Sequence, residues 1–146
     1  MSTPIYVGVY GTSNTGKTML IEKLITYFHQ KKKQCATIKC TDKPLSIDTE
    51  GKDTFRHAQA GAHLTVFSSA VETTYLVKSP MKFSNIKQHL ESLVEVDIVF
   101  VEGATDPSVP KISLGDCPKR ENTIFEYKNN FSTLVDFLEQ LIIRRS

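Results

Sequence analysis

The sequence predicts a three-layer α/β domain built on a mostly parallel sheet, and three observations lead there. Short apolar runs of strand length alternate with segments whose apolar residues recur at helical spacing. That alternation marks βαβ units, which pair their strands in parallel and lay helices on the faces of the sheet. A glycine-rich stretch, GTSNTGKT at 11–18, falls where the first strand gives way to the first helix. Two further strand-like runs joined by a short link add a hairpin within the series.

Taken in order, IYVGVY (5–10) is an apolar run ending at glycine, the pattern of a buried strand. From Gly16 the period changes, and Leu20, Ile21, Leu24, Tyr27 and Phe28 form one helical stripe. ATIK (36–39) is the next strand, followed by a polar loop, CTDKPLSIDTEG. Asp53 to Ala60 reads as helix, with Gly61 as its stop. LTVFS (64–68) and TTYLV (73–77) are the hairpin strands. After Pro80, Ser84 is placed to cap a helix with the stripe Ile86, Leu90, Leu93 and Val94. VDIVFVEG (96–103) is the clearest buried strand, and KISL (111–114) and TIFEY (123–127) bracket a turn-rich piece. A final amphipathic helix carries Phe131, Leu134, Val135, Leu138, Leu141 and Ile142 on one face, a stripe expected to pack into the core.

At 146 residues the chain is expected to form one domain, 1–146. Apolar and charged fractions of 40% and 23% are those of an ordinary globular protein. A net charge of +2 is too small to argue for nucleic acid or a membrane surface. The run Lys31-Lys32-Lys33 follows a helical stripe, where it complements the helix dipole. Three cysteines, Cys35, Cys40 and Cys117, give an odd count without paired spacing, so a disulfide framework is not expected. With no apolar leader after Met1 and no membrane-length apolar stretch, the expected location is the cytoplasm.

GTSNTGKT satisfies G-x-x-x-x-G-K-[ST] through Gly11, Gly16, Lys17 and Thr18. Its position between a buried strand and an amphipathic helix is the one phosphate binding requires. Glycines let the backbone curl so that successive N–H groups converge on phosphate oxygens, and the helix N-terminus adds partial positive charge. The expected nucleotide contacts are Gly11, Thr12, Ser13, Asn14, Thr15, Gly16, Lys17 and Thr18. Lys17 reaches toward the outer phosphates, and the Thr18 hydroxyl is suited to Mg²⁺.

An acid should complete the magnesium shell. The strand at 96–103 offers Asp97 near its start and Glu102 at its end. Five residues of strand separate them by roughly 16 Å, so they lie at opposite edges of the sheet. Ligands of α/β sheets bind at the carboxyl ends of strands, which selects Glu102 and leaves Asp97 as a solvated strand start. The loop after the second strand leaves the same edge and carries Asp42, Asp48, Lys52, Asp53 and Arg56, each open to either a solvated or a nucleotide-side role.

Three blocks then resemble the MobB family of molybdopterin-guanine dinucleotide biosynthesis proteins: GTSNTGKTMLIEKL, ATIKC…SIDTEGKDTFRHAQAGA and VDIVFVEG…PKISL. The first is common to P-loop proteins; D-x-x-G-K-D followed by A-G-A, and E-G followed by P-K-I, are more specific. The resemblance implies a P-loop NTPase fold, GTP with Mg²⁺, weak hydrolysis, and a homodimer. It also implies association with the guanylyltransferase that joins GMP to molybdopterin, and molybdopterin itself as a further candidate ligand. On its motif, Asp48 joins Thr18 and Glu102 in the metal shell, and Lys52 and Asp53 sense the γ-phosphate or the dimer partner. Cys40 stands where the family has histidine, and Ala104-Thr105 where it has phenylalanine and lysine.

No N-K-x-D guanine-reading segment is present, so GTP rests on the resemblance. A P-loop small-molecule kinase is the main alternative; few arginines and no long insertion for a lid count against it. A metallochaperone-type GTPase is the second, but His29, His57, His63, His89 and the cysteines lack a metal-ligand spacing. A Cys40 nucleophile lacks an identifiable base.

Overall fold

The computed structural model describes residues 3–145. Its elements run β1 (Ile5–Gly11), α1 (Lys17–Gln30), β2 (Cys35–Lys39), α2 (Asp53–Gln59), β3 (Leu64–Ser68), β4 (Thr73–Val77), α3 (Phe83–Leu93), β5 (Ile98–Glu102), β6 (Lys111–Leu114), β7 (Thr123–Tyr127) and α4 (Phe131–Arg144). Two compact units divide them: residues up to Thr41 with those from His89 on, and Asp42–Gln88.

The first unit holds a five-stranded sheet in the order β2-β5-β1-β6-β7, every pair parallel. Parallel pairing buries strands on both faces, which is why Ile98 to Val101 form a continuous buried run rather than an alternating one. On one face Val7, Val9, Phe100 and Ile112 pack with Leu24 and Phe28 of α1 and Leu134 and Leu138 of α4. Each such side chain contributes about 1.5–3 kcal/mol by leaving water. The α1 and α4 stripes expected from the sequence are these buried faces. Tyr27 Oη donates to Glu139 Oε1 at 2.7 Å and ties the two helices together.

Register places the site. Val9 pairs with Glu102 and Gly11 with Leu114, so the ends of β1, β5 and β6 share one edge of the sheet. The connection from β5 to β6 contains no helix; it crosses β1 directly over Gly8. A Cβ at Gly8 would lie 2.6 Å from Ala104 Cβ, so only glycine admits that crossing.

One expectation for this unit is corrected. Asp97 is not a free strand start: Arg145 Nη2 donates to its Oδ1 at 2.7 Å, and the Gln34 N–H donates to Oδ2 at 2.8 Å. Arg145 Nη1 also donates to the Asp97 carbonyl at 2.6 Å. Burial pushes the Asp97 carboxyl up, but these bonds and the Arg145 and Lys33 charges outweigh it and hold it below the usual carboxylate range.

In the second unit β3 and β4 pair antiparallel, Leu64 opposite Val77 and Ser68 opposite Thr73, forming the expected hairpin. Ser69 Oγ closes its turn by accepting from the Val71 and Glu72 N–H groups, both at 3.2 Å. The hairpin buries little: Leu64, Val66, Phe67, Tyr75 and Val77 are 42–54% exposed. The third helix starts at Phe83, so Ser84 lies inside it rather than at its cap. Its stripe is only half-buried at Ile86 and Leu90, while Leu93 and Val94 are exposed.

Candidate functional site

The loop between β1 and α1 is shaped for an anion. Asn14 and Gly16 adopt left-handed conformations at φ 63° and 88°, turning successive N–H groups toward one side. Gly16 occupies the N-cap of α1 without a side-chain cap bond, and the first helical turn has no acidic residue. The first N–H donors of this 14-residue helix therefore meet no side-chain cap, and the turn itself supplies no acid. Thr15 Oγ1 braces the loop by donating to the Thr12 carbonyl at 2.7 Å.

Lys17 folds across this loop, its Nζ donating to the Gly11 and Thr12 carbonyls at 3.0 and 3.1 Å. The first of these bonds is partly buried and the second exposed, and an ammonium so placed can exchange neutral carbonyls for phosphate oxygens. Thr18 Oγ1 donates to Glu102 Oε1 at 3.2 Å, joining the first turn of α1 to the end of β5. A hydroxyl and a carboxylate meeting beside a phosphate loop are hard oxygen donors of the kind Mg²⁺ takes, usually with waters completing the octahedron. The residues present thus fit a magnesium–phosphate group.

The Glu102 backbone is fixed from both sides. Its carbonyl accepts from the Cys40 N–H and the Val9 carbonyl accepts from the Gly103 N–H, both at 2.9 Å. Gly103 turns the chain away at φ 77°, and a Cβ there would lie 2.6 Å from the Cys40 carbonyl oxygen. Cys40 acts here through its backbone; burial pushes its thiol up, away from the reactive thiolate.

Asp48, Lys52 and Asp53 belong to the second unit, where they line a cleft of about 630 Å³ with Gly51, Phe67 and Leu76. One oxygen of the Asp48 carboxylate is hydrogen-bonded within that unit, while the other, the buried Oδ2, has no hydrogen-bond partner among the described residues. Its Oδ1 accepts from Thr54 Oγ1 at 3.0 Å and the Thr49 N–H at 3.2 Å, and Lys78 Nζ lies 3.6 Å from Oδ2. With its side chain only 3% exposed, Asp48 is a structural anchor of the cleft whatever else it binds.

Two residues that sequence reasoning passed over stand near the site. Lys111, fully buried, donates to the carbonyls of Asp106, Val109 and Glu121 at 2.7–2.8 Å. Burial pushes its ammonium down, partly countered by Asp106 and Glu121. Arg120 Nη1 donates to the Ala104 carbonyl at 2.8 Å while its guanidinium lies 4.8 Å over the Tyr10 ring. The P-K-I pattern was the available signal for Lys111; none marks Arg120.

A parallel sheet with a glycine-rich loop closing on the first helix, and an acid at the end of the neighbouring strand, defines a protein of P-loop NTPase type. The family model described as "Molybdopterin guanine dinucleotide synthesis protein B" matches residues 6–136, and the chain belongs to that family, MobB. Relatives described as molybdopterin-guanine dinucleotide biosynthesis adapter proteins are 30% identical over 110 residues in Haemophilus influenzae and over 105 in Escherichia coli. Those matches cover 74% and 70% of this chain but only 61% and 60% of the relatives. A Methanocaldococcus jannaschii relative, 33% identical over 110 residues, is matched over 73% of this chain and 45% of its own length. The chain thus spans between about half and three-fifths of the length of the curated relatives it matches. The Bacillus subtilis MobB crystal structure superposes with a TM-score of 0.72 at 19% identity, covering 93% of this chain and 97% of that one. A MobB homologue from Bacillus stearothermophilus gives 0.64 at 17%, covering 96% and 99%, so both share the fold.

Proposed function

We propose that this chain binds GTP with Mg²⁺ and serves as an accessory protein in molybdopterin guanine dinucleotide biosynthesis. The observation that carries the reading is the Thr18–Glu102 contact at the mouth of an uncapped, glycine-shaped loop. The backbone from Gly11 to Lys17 cradles the phosphates, Lys17 follows the outer charge, and Thr18 with Glu102 holds the metal. Mg²⁺, when bound, neutralises phosphate charge and fixes the nucleotide's orientation. Asp48, named with Thr18 and Glu102 by the family motif, lies in the second unit, where Thr54 takes its Oδ1 and its buried Oδ2 has no hydrogen-bond partner among the described residues, with Lys78 Nζ 3.6 Å away. Lys52 and Asp53, exposed on the cleft of the second unit, are suited to report the γ-phosphate or a partner.

Hydrolysis is slow in this reading. That slowness is drawn from the family resemblance; Arg120 and Arg145 are engaged with Ala104 and Asp97, while Arg56 and Arg144 are exposed. The choice of GTP and the pairing with a guanylyltransferase are drawn from the family resemblance, and the cytoplasmic setting from the three cysteines without paired spacing; the relatives' names support the pathway and an adapter role. Among the described residues no helix is long and apolar enough to cross a membrane. The exposed hairpin residues Leu64, Val66, Phe67, Tyr75 and Val77 support a homodimer, because unpartnered apolar strands call for cover.

Binding of GTP and ATP measured side by side, with and without molybdopterin, tests the reading. GTP preference with little turnover supports it. ATP preference with transfer to a small acceptor would replace it with a kinase.

A further inference from the structure

We propose that Arg120 is a positioning residue for Glu102, acting through the carbonyl of Ala104 to set the magnesium-binding acid; this rests on Thr18 and Glu102 being the magnesium pair. Glu102 ends β5, and the peptide that leaves it is held at both polar atoms: the Cys40 N–H donates to the Glu102 carbonyl, and the Gly103 N–H donates to the Val9 carbonyl. Beyond that peptide the chain pivots at Gly103, a left-handed residue with no side chain to stiffen it. Ala104 is the first residue beyond that pivot, and Arg120 Nη1 takes its carbonyl at 2.8 Å.

Arg120 can act as a fixed point because it is itself anchored to the strand that leads into the phosphate loop. Its guanidinium lies over the ring of Tyr10, the residue before Gly11, and its N–H donates to Tyr10 Oη at 2.9 Å. Tyr10 Oη and Thr123 Oγ1 are 2.6 Å apart, and the same Thr123 oxygen donates to the Arg120 carbonyl at 2.6 Å. One planar group therefore links the base of the phosphate loop to the exit from the acid-bearing strand. The guanidinium suits this because it can stack and donate in its own plane at once. Lys111 holds the rest of the crossing, joining Asp106 and Val109 to Glu121. With both clamps in place the carboxylate that meets Thr18 has a rigid backbone on either side, the condition for a preorganised metal ligand.

A residue that only braces the fold and one that positions the acid differ in what metal does to binding. The test measures GTP affinity of the wild type, Arg120→Ala, Arg120→Met and Arg120→Lys, in EDTA and across a Mg²⁺ titration. Losing the charge-assisted bond should raise the Mg²⁺ concentration for half-maximal effect by about fivefold or more in the alanine and methionine variants. GTP affinity in EDTA should stay within about twofold of wild type, and lysine, which keeps a donor, should fall between. Arg120→Met keeps a stem against Tyr10 and carries the test if the alanine variant does not fold. A wild-type Mg²⁺ midpoint, or equal weakening with and without metal, overturns the positioning role and leaves the nucleotide site standing. A wild type whose GTP binding ignores Mg²⁺ removes the magnesium pair and this inference with it.

Discussion

Replacing Lys111 with methionine isolates the buried ammonium while keeping most of the side chain's volume. Nζ makes three bonds, to the carbonyls of Asp106 and Glu121, which are partly buried, and of Val109, which is wholly buried. Bonds to a charged donor are worth about 1.5–3 kcal/mol each, yet burying an ammonium costs several kcal/mol, so the sum is not the loss. What decides the outcome is the acceptors left behind. Loop carbonyls of Asp106 and Glu121 can turn to water at small cost, whereas the Val109 carbonyl cannot and incurs about 1–3 kcal/mol. Allowing for loosening of the crossing over Gly8, the net destabilisation should be about 2–4 kcal/mol, or roughly 5–15 °C in Tm for a chain of this size. The chain has no tryptophan, so far-UV circular dichroism during thermal and urea unfolding is the suitable signal. A Lys111→Met protein as stable as wild type, or more so, would show that the three carbonyls do not depend on the cation.

Removing Arg145 as alanine should cost about 1–2 kcal/mol, since it frees a partly buried Asp97 carboxylate. Because folding holds the Asp97 carboxyl below its unfolded value, its contribution is complete above about pH 4 and fades as pH falls through the lower folded value. Urea midpoints from pH 7 to 2 should therefore show a wild-type advantage over Arg145→Ala that shrinks at the acid end; a constant gap would contradict the ion pair. Gly103→Ala should lose about 2 kcal/mol or more, combining positive-φ strain with a Cβ 2.6 Å from the Cys40 carbonyl, and denaturant unfolding reads it directly. Leu138→Ala, at a fully buried position, should cost about 2–5 kcal/mol by the same assay.

How much of this was legible beforehand depends on the range of the interactions. GTSNTGKT announces itself because loop curvature, helix start and phosphate chemistry all act within eight adjacent residues. The α1 and α4 stripes and the strand at 98–102 were equally plain, since burial imposes a period on consecutive residues. Glu102 over Asp97 followed from strand length and the rule that ligands gather at the carboxyl ends of strands; Glu102 accepts from Thr18, whereas Asp97 is held by Arg145. Asp97–Arg145 and Arg120–Ala104 were not legible: their partners lie 48 and 16 residues apart and carry no periodic mark. The third helix shows a different limit, for a stripe declares a helix but not whether anything covers it. Ser84 was a sound cap by residue type, and the backbone began its helix two residues earlier than that cap implies, at Phe83.

The central claim is a magnesium-assisted phosphate site built on Lys17, Thr18 and Glu102, and calorimetric titration of GTP into wild type, Lys17→Ala and Glu102→Ala with and without Mg²⁺ tests it most directly. Binding should be abolished in Lys17→Ala, and in Glu102→Ala it should persist with a weakened response to metal. Unchanged GTP affinity in Lys17→Ala, or a wild-type magnesium titration in Glu102→Ala, would contradict it.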